Sequence, residues 1–296
     1  MEMDKMKLGR IKRIHRYPVK SMAGETLDSA RIGTLGIPGD RGWAVRDEVR
    51  GGIRGAKKIA ALMRCSARYT EDPDGSTVPP AEITLPDGTT VMSDDESAAT
   101  QLSQAVAHEV TLWPLLPPDA LDHYRRGAPD HEDLEQELRA IFAREPGEPL
   151  PDLGEFPPDI LEYESPPGTY FDAFPLLLLT DVSLQHLQSA APESVFDVRR
   201  FRPNLLIEAG DESGPFPELG WASCRLRIGE AEITTTIGCP RCVMTTHGFA
   251  DLPRDPKIMR TLVREAGGKL GLYASVAQPG NIRVGDSVTL IERLEG

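Results

Sequence analysis

Long apolar runs are missing from this 296-residue chain. The longest, FPLLLLT at 174–180, falls far short of the ~20 residues that a membrane-spanning helix needs. Positive charge is also in deficit. With 33 Lys and Arg against 46 Asp and Glu, the net charge is −13. That balance argues against a general binder of nucleic acid or anionic membrane, since both are polyanions. The amino terminus, MEMDKMKLGRIKRIHRY, has basic residues but no apolar core, so no signal peptide is expected. Four cysteines do not make a disulfide framework in a chain of this length, and a reducing, cytoplasmic setting is the expectation. No internal repeat or low-complexity tract is evident. What is there, 40% hydrophobic and 27% charged, suits a globular protein with a real core.

The first 113 residues read as mostly strand. GRIKRIHRYPV (9–19), LDSARIG (27–33) and GDRGWAVRDE (39–48) are short segments, the last opening on a Gly-Asp turn. AEITLPDGTTVMS (81–93) predicts a hairpin around Pro-Asp-Gly. Ser93 and Glu96 have capping-box spacing, which predicts a helix with Ala98, Leu102, Ala105 and Val106 on one face. HEVTLWPL then returns to strand. Between about 114 and 170 prolines recur and acidic residues accumulate. Within that stretch DHEDLEQELRAIFARE predicts an amphipathic helix with Leu134, Leu138, Ile141 and Phe142 as its apolar stripe. A stripe to bury marks an excursion packed on the body, not a free linker. After 170, FPLLLLT predicts a buried strand and Thr180 the cap of a helix over DVSLQHLQSA. RFRPNLLIE, CRLRIGEAEITTTIG and DSVTLIERL predict strands. DPKIMRTLVREAGG predicts a helix with Asp255 as cap, Pro256 at its first position and Gly267 at its end. The fold class is mixed α+β and strand-dominated, a barrel architecture with a few helices rather than alternating βαβ units.

Four stretches carry chemistry. TTIGCPRCVMTTHG (235–248) sets Cys239 and Cys242 three apart. A zinc knuckle needs four ligands, yet Cys65 and Cys224 stand alone and the six histidines are scattered. A redox pair opens a helix in a βαβ setting, whereas these residues are β-rich, and a cubane cluster wants more cysteines. Half-buried structural thiols remain the bland reading. Arg241 is a cation that favours thiolate, which makes Cys242 the better candidate for a reactive or ligating sulfur. In YPVKSMAGE (17–25), Lys20 and Ser21 offer a point charge and a neutral donor for an anion, unless the lysine is merely solvated. In RRFRPNLLI (199–207), Arg202 and Asn204 flank a proline. They read either as a guanidinium fork for phosphate and an amide for a heterocycle edge, or as an ion pair and a turn cap. GDRGW (39–43) places Arg41 between Asp40 and the core-like Trp43.

YPVKS, GDRGW, FRPN and CPRCVMTT, in this order and rough spacing, resemble the MOSC family with its N-terminal MOSC β-barrel. Its best-known members are the mitochondrial amidoxime reducing components and their bacterial relatives. The likeness runs from about residue 9 to 294 and includes PGNIRVGDSVTLI. It implies an N-terminal MOSC β-barrel domain over 8–113 and a MOSC core β-barrel over 171–294, separated by the Pro-rich excursion 114–170. It also implies a molybdenum cofactor, a pyranopterin dithiolene with a terminal phosphate, whose metal is ligated by Cys242. Lys20, Ser21, Arg41 and Arg202 fall where relatives hold the phosphate and pterin, with Asn204 and Arg241 beside them. Asp172, in YFDAFP, matches a cofactor-contacting loop in its Asp and the later Pro. Cys65 and Cys224 read as core. The chain departs from relatives in GGIRGAKKIAALMR, where they often carry Thr-Ala-Arg; Arg54, Lys57 and Lys58 are added there, as a solvated basic loop or as contacts to an anion.

The activity so implied is reduction of N-hydroxylated or N-oxide-like small molecules by oxygen-atom removal, with pyridoxal phosphate not required. A different class of reading is a sulfur- or cofactor-carrying protein that uses Cys242 as a persulfide or hand-off site without turnover. No cysteines have the C-x₄-C-x₂-C spacing of a plant-type ferredoxin domain, and no G-x-G-x-x-G turn follows a strand. Electrons are therefore expected from an external ferredoxin- or cytochrome b5-like protein. Arg50, Arg54, Lys57 and Lys58 form the densest basic patch at which an acidic donor is expected to dock.

Overall fold

The computed structural model describes residues 6–210 and 214–294. Its first part contains β1 (Lys7–Arg16), β2 (Glu25–Leu27), β3 (Ser29–Ile32), β4 (Trp43–Asp47), β5 (Ile53–Arg54), β6 (Ser66–Tyr69), β7 (Ala81–Thr84), β8 (Thr90–Met92), helix α1 (Ala98–Val106) and β9 (Val110–Pro114). The Pro-rich stretch carries α2 (Leu121–Tyr124), α3 (Leu134–Phe142) and α4 (Asp159–Glu162). Then follow β10 (Leu176–Thr180), α5 (Asp181–Ala190), β11 (Leu205–Ala209), β12 (Cys224–Ile228), β13 (Ala231–Pro240), α6 (Lys257–Ala266), β14 (Lys269–Gln278), β15 (Gly280–Arg283) and β16 (Ser287–Arg293). The fold is strand-dominated α+β, as expected. No helix among the described residues is long and apolar enough to cross a membrane.

Seven strands close into a barrel in the order β1-β11-β10-β14-β13-β12-β16, and β2 extends the sheet beside the end of β1. Only β10 and β11 run parallel. Period-two burial builds β12, which turns Cys224, Leu226 and Ile228 inward. In β1 the buried Ile11 and Ile14 are three apart, and a bulge between Ile11 and Arg13 restores both to the inside. All five residues of β10 are buried, because Leu176 and Leu178 enter the barrel core while Leu179 packs with Phe201, Leu206, Ile258 and Leu262 beneath α5 and α6. Each such Leu or Ile contributes about 1.5–3 kcal/mol. β1 lies in the range read as the N-terminal domain, yet it closes a barrel whose other six strands come from 171–294.

Of the remaining strands of the first part, β3 pairs with β15, and the others form two antiparallel sheets, β5-β4-β9 and β6-β7-β8, around Trp43, Val45, Leu62, Ile83, Leu102 and Val110. The predicted hairpin is β7-β8. The Ser93 capping box does not form. Ser93 is buried and its hydroxyl accepts the N–H of Ala81 at 2.9 Å, pinning the hairpin, so α1 begins only at Ala98. Thr180 does cap α5, accepting from the N–H of Ser183 at 3.3 Å. α6 begins one residue later than expected, with Pro256 at the cap, and ends on Gly267 in the left-handed region. β14 escapes the sequence reading because Gly271, Ala274 and Ser275 dilute its apolar signal.

The excursion is packed on the body by charge more than by its apolar stripe. α3 forms, but Leu134 is 70% exposed and the buried residue of the helix is Glu137. Lys58 binds Glu137 and also Asp130, the latter at 2.6 Å. Arg50 donates to the Pro129 carbonyl at 2.7 Å, Arg54 to that of Ala128, and Lys57 pairs with Glu164 at 3.2 Å. The stretch 50–58 is therefore neither a solvated loop nor a free docking patch. In a chain with surplus carboxylates, its cations are engaged by the acidic segment folded over them.

Candidate functional site

Five loops converge where the barrel meets the first part. Backbone hydrogen bonds set the approach: Lys20 N–H donates to the Trp43 carbonyl at 2.8 Å, Arg41 N–H to that of Tyr17 at 2.7 Å, and Asn204 N–H to that of Leu177 at 2.8 Å. Asp40 accepts the N–H of Tyr17 at 2.8 Å, tying the GDRGW turn to YPVKS. The result is a cavity of about 80 Å³ lined by all eight sequence-selected residues, Lys20, Ser21, Arg41, Asp172, Arg202, Asn204, Arg241 and Cys242. Ser21 (φ 72°), Arg41 (φ 50°) and Arg202 (φ 53°) are left-handed, a backbone cost that non-glycine residues keep only where surrounding structure holds them, commonly at functional sites.

The electrostatics are lopsided. Five cations, Lys20, Arg41, Arg200, Arg202 and Arg241, line the cavity against the single carboxylate of Asp172. Lys20, 5% exposed, donates to Tyr170 O at 2.7 Å, Asp172 Oδ1 at 3.0 Å and Ser165 Oγ at 3.3 Å, so its three protons all face the 165–172 loop. Burial lowers its affinity for a proton, Asp172 opposing. Desolvation works against the charge of Asp172, but Lys20 and then Lys57 outweigh it and hold the carboxyl well below its usual range. Asn204 is engaged within the protein. It donates to Asp40 Oδ2 at 2.9 Å and accepts from Leu177 N–H at 3.2 Å and Arg41 at 3.4 Å, which makes it a brace for Arg41.

Arg202 and Arg241 differ from these. Arg202 donates through Nη1 to the Met22 carbonyl and lies over the Tyr17 ring, 4.1 Å from its centroid. Burial, with Arg41 nearby, pushes its pKa down to about 10. Arg241 donates to Leu270 O at 2.7 Å and Phe201 O at 2.9 Å. Nη2 of each is buried without a partner. Space beside Arg241 depends on Gly271, since a Cβ there would lie 3.1 Å from Nη2 and 2.7 Å from the Leu178 carbonyl. Two buried, unpartnered guanidinium nitrogens in one cavity are what an anionic group requires, so the residues fit a phosphate-bearing cofactor.

Cys242 and Cys239 are both free thiols. Cys239 is 3% exposed and its thiol donates to the Pro240 carbonyl at 3.7 Å, and Tyr273 also lines the cavity. Contrary to the expectation from sequence, Arg241 is not the cation that favours a Cys242 thiolate. Its guanidinium is directed to Leu270 and Phe201, and the Cys242 thiol is pushed up by burial and then by Asp172, while Lys57 is the cation that opposes this. In the sequence Lys57 reads only as part of a basic loop. Phe171, Phe174 and Tyr273 also line the cavity and had no sequence signal beyond being aromatic. Among the described residues, no three His, Cys, Asp or Glu side chains come together as metal ligands, so the zinc reading has no support.

A closed β-barrel thus carries, in one cavity where it meets the first part, a free thiol and two guanidinium groups with unpartnered nitrogens. The family models place it further: the MOSC domain matches residues 167–289 and the MOSC N-terminal beta barrel domain residues 8–114. The chain belongs to the MOSC family. It is 32% identical to mitochondrial amidoxime-reducing component 1 of Mus musculus over 41% of this chain, a match that spans only 38% of the relative's length. Over 95% of the chain and 83% of the relative it is 24% identical to mitochondrial amidoxime reducing component 2 of Bos taurus. Component 1 of Xenopus laevis is also 24% identical, over 98% of the chain and 84% of the relative. Among solved structures, the YuaD protein of Bacillus subtilis aligns over 97% of each chain at 10% identity with a TM-score of 0.43.

Proposed function

We propose that the chain is a molybdenum-cofactor-dependent oxidoreductase that removes oxygen from N-hydroxylated or N-oxide-like small molecules, with electrons from a separate protein. The family and the amidoxime-reducing relatives supply the reaction class. The observation that carries the reading to this chain is the meeting of the Cys242 thiol with the unpartnered nitrogens of Arg202 and Arg241 in one cavity. Bound there, the cofactor supplies a metal able to accept an oxygen atom and exchange two electrons. Cys242 would ligate the metal through a thiolate, a soft donor suited to a sulfur-bound centre. Arg202, Arg241 and the hydroxyl of Ser21 would hold the anionic end, with Arg41 braced by Asn204 adding charge. Asp172, ionised and 56% exposed, is placed to accept from an N–H or O–H of the substrate at the mouth. Lys20 keeps that carboxylate in position, and Phe171 and Phe174 limit water.

The net reaction consumes two electrons and two protons and releases water. Molybdenum and pterin assays on the purified protein, with turnover of an aryl amidoxime by reduced viologen, test the reading. Labile sulfur on Cys242 without turnover would instead favour a sulfur or cofactor carrier.

A further inference from the structure

The chain that follows Cys242, residues 243–253, has little framework of its own. It holds one short 3₁₀ turn, Val243–Thr246, and its amides bond close by: Thr245 N–H to the Cys242 carbonyl at 3.2 Å, His247 to Met244 at 3.2 Å, and Phe249 and Leu252 to each other at 3.0 and 2.8 Å. One side chain supplies the missing framework. Arg200 donates through Nη1 to the carbonyls of Thr245 at 3.2 Å and His247 at 2.9 Å, through Nη2 to that of Pro253 at 2.7 Å, and through Nε to that of Val195 at 3.0 Å. It is 1% exposed, and its guanidinium carbon lies 5.9 Å from the centre of the Phe249 ring. Every acceptor is a carbonyl and none a carboxylate, so a buried positive charge remains at the wall of the Cys242 cavity. Arg199 grips the same segment from outside, at Asp251 Oδ1 2.8 Å away, with both partners exposed. Water screens that pair, and it contributes little.

We propose that Arg200 is a positioning residue: its fork holds residues 243–253, and through them the Cys242 sulfur, in one place before a cofactor arrives. This role rests on the proposed ligation of the metal by Cys242. Arg200 stands two residues before Arg202, so a single turn presents a donor for the anionic end and fastens the segment that follows the metal ligand. A site ordered in advance loses less freedom on binding and holds its guest in one geometry. The fork is essential to this. A lysine ammonium carries the same charge but donates from one atom, and it cannot reach carbonyls served by three separate nitrogens.

Arg200→Lys, Arg200→Met and Arg199→Met in the full chain test this. With cofactor removed, amide exchange at Thr245, His247, Phe249 and Leu252 and alkylation of Cys242 should each rise about tenfold or more in Arg200→Lys, the effect of losing a charge-assisted hydrogen bond. Exchange in β12 and β13 should stay as in the parent, and Arg199→Met should match the parent throughout. In the loaded protein, the Mo(V) electron paramagnetic resonance signal of Arg200→Lys should shift its g-values and broaden, which a change in overall stability alone does not produce. Unaltered exchange, alkylation and signal in Arg200→Lys would overturn the proposal, because charge without the fork would then suffice. So would exchange that rises equally in β12 and β13, which would make Arg200 a general stabiliser. If Arg200→Met does not fold, Arg200→Lys set against Arg199→Met still decides. If the parent binds neither molybdenum nor pterin, the proposed oxidoreductase fails by itself, while exchange and alkylation still decide whether Arg200 holds the Cys242 turn.

Discussion

Lys57 Nζ stands 3.2 Å from Glu164, and this ion pair fastens the 50–58 stretch to the excursion beside the Cys242 loop. Burial opposes the charge of Glu164, but Lys57, Arg126 and Lys20 outweigh it, so its folded pKa lies below the ordinary glutamate value. A depressed carboxyl stabilises fully above its unfolded pKa of about 4.3 and loses that contribution as pH falls towards the folded value. Hydrogen exchange across 121–170, corrected for intrinsic rates, should therefore rise from about pH 5 downward, ahead of the barrel strands. Glu164→Gln should raise exchange at neutral pH and flatten the dependence. An unchanged profile in that variant would count against the clamp.

Cys242→Ser should remove molybdenum and turnover together, whereas Cys239→Ser should keep most of both. Cys239 is buried against Tyr273, so its replacement by a more polar hydroxyl should cost roughly 1–2 kcal/mol, read as a lower melting temperature. Equal loss of activity in the two variants would mean that the pair acts as a unit.

Arg202→Met should separate stability from binding. The guanidinium is a buried cation with one carbonyl partner and an aromatic face, and methionine keeps most of its volume. The cofactor-free protein should be as stable as the parent or more so, while cofactor affinity falls by about 1.5–3 kcal/mol, the worth of a charge-assisted hydrogen bond. Lys20→Met should behave oppositely and lower stability, because Tyr170 O and Asp172 lose their donor. Denaturant midpoints and pterin content measure both.

The purified chain should show no NADH- or NADPH-driven turnover, yet work with a reduced viologen. Lys58→Gln should lower the melting temperature by freeing Glu137 and Asp130, without altering the ratio of protein-donor to viologen rates. A selective fall in the donor rate would restore the 50–58 stretch as a docking patch.

Strands such as β12 were legible because alternate residues face one core, and that two-residue period is written directly in the sequence. The cavity was legible through four separated motifs whose residues do meet. What the cations point at was not. Arg241 precedes Cys242 in extended chain, where neighbours project apart, and its carbonyl partners belong to Phe201 and Leu270, which only the fold brings near. The 50–58 and 114–170 segments likewise read as one basic and one acidic stretch. Nothing local records that each is the other's counterion.

The place of β1 in the barrel bears on how the molecule is made. Residues 7–16 pair with 205–209 and with 287–293, so the ring cannot close until almost the whole chain has left the ribosome. Until then the nascent first stave has only the short β2 beside its end, and contacts as distant in sequence as those with β11 and β16 form slowly. Cutting out the MOSC-matched stretch 167–289 would remove that stave and bare the hydrogen-bonding edges of β11 and β16. Such a fragment should precipitate or pair edge to edge rather than fold as a smaller version of the parent.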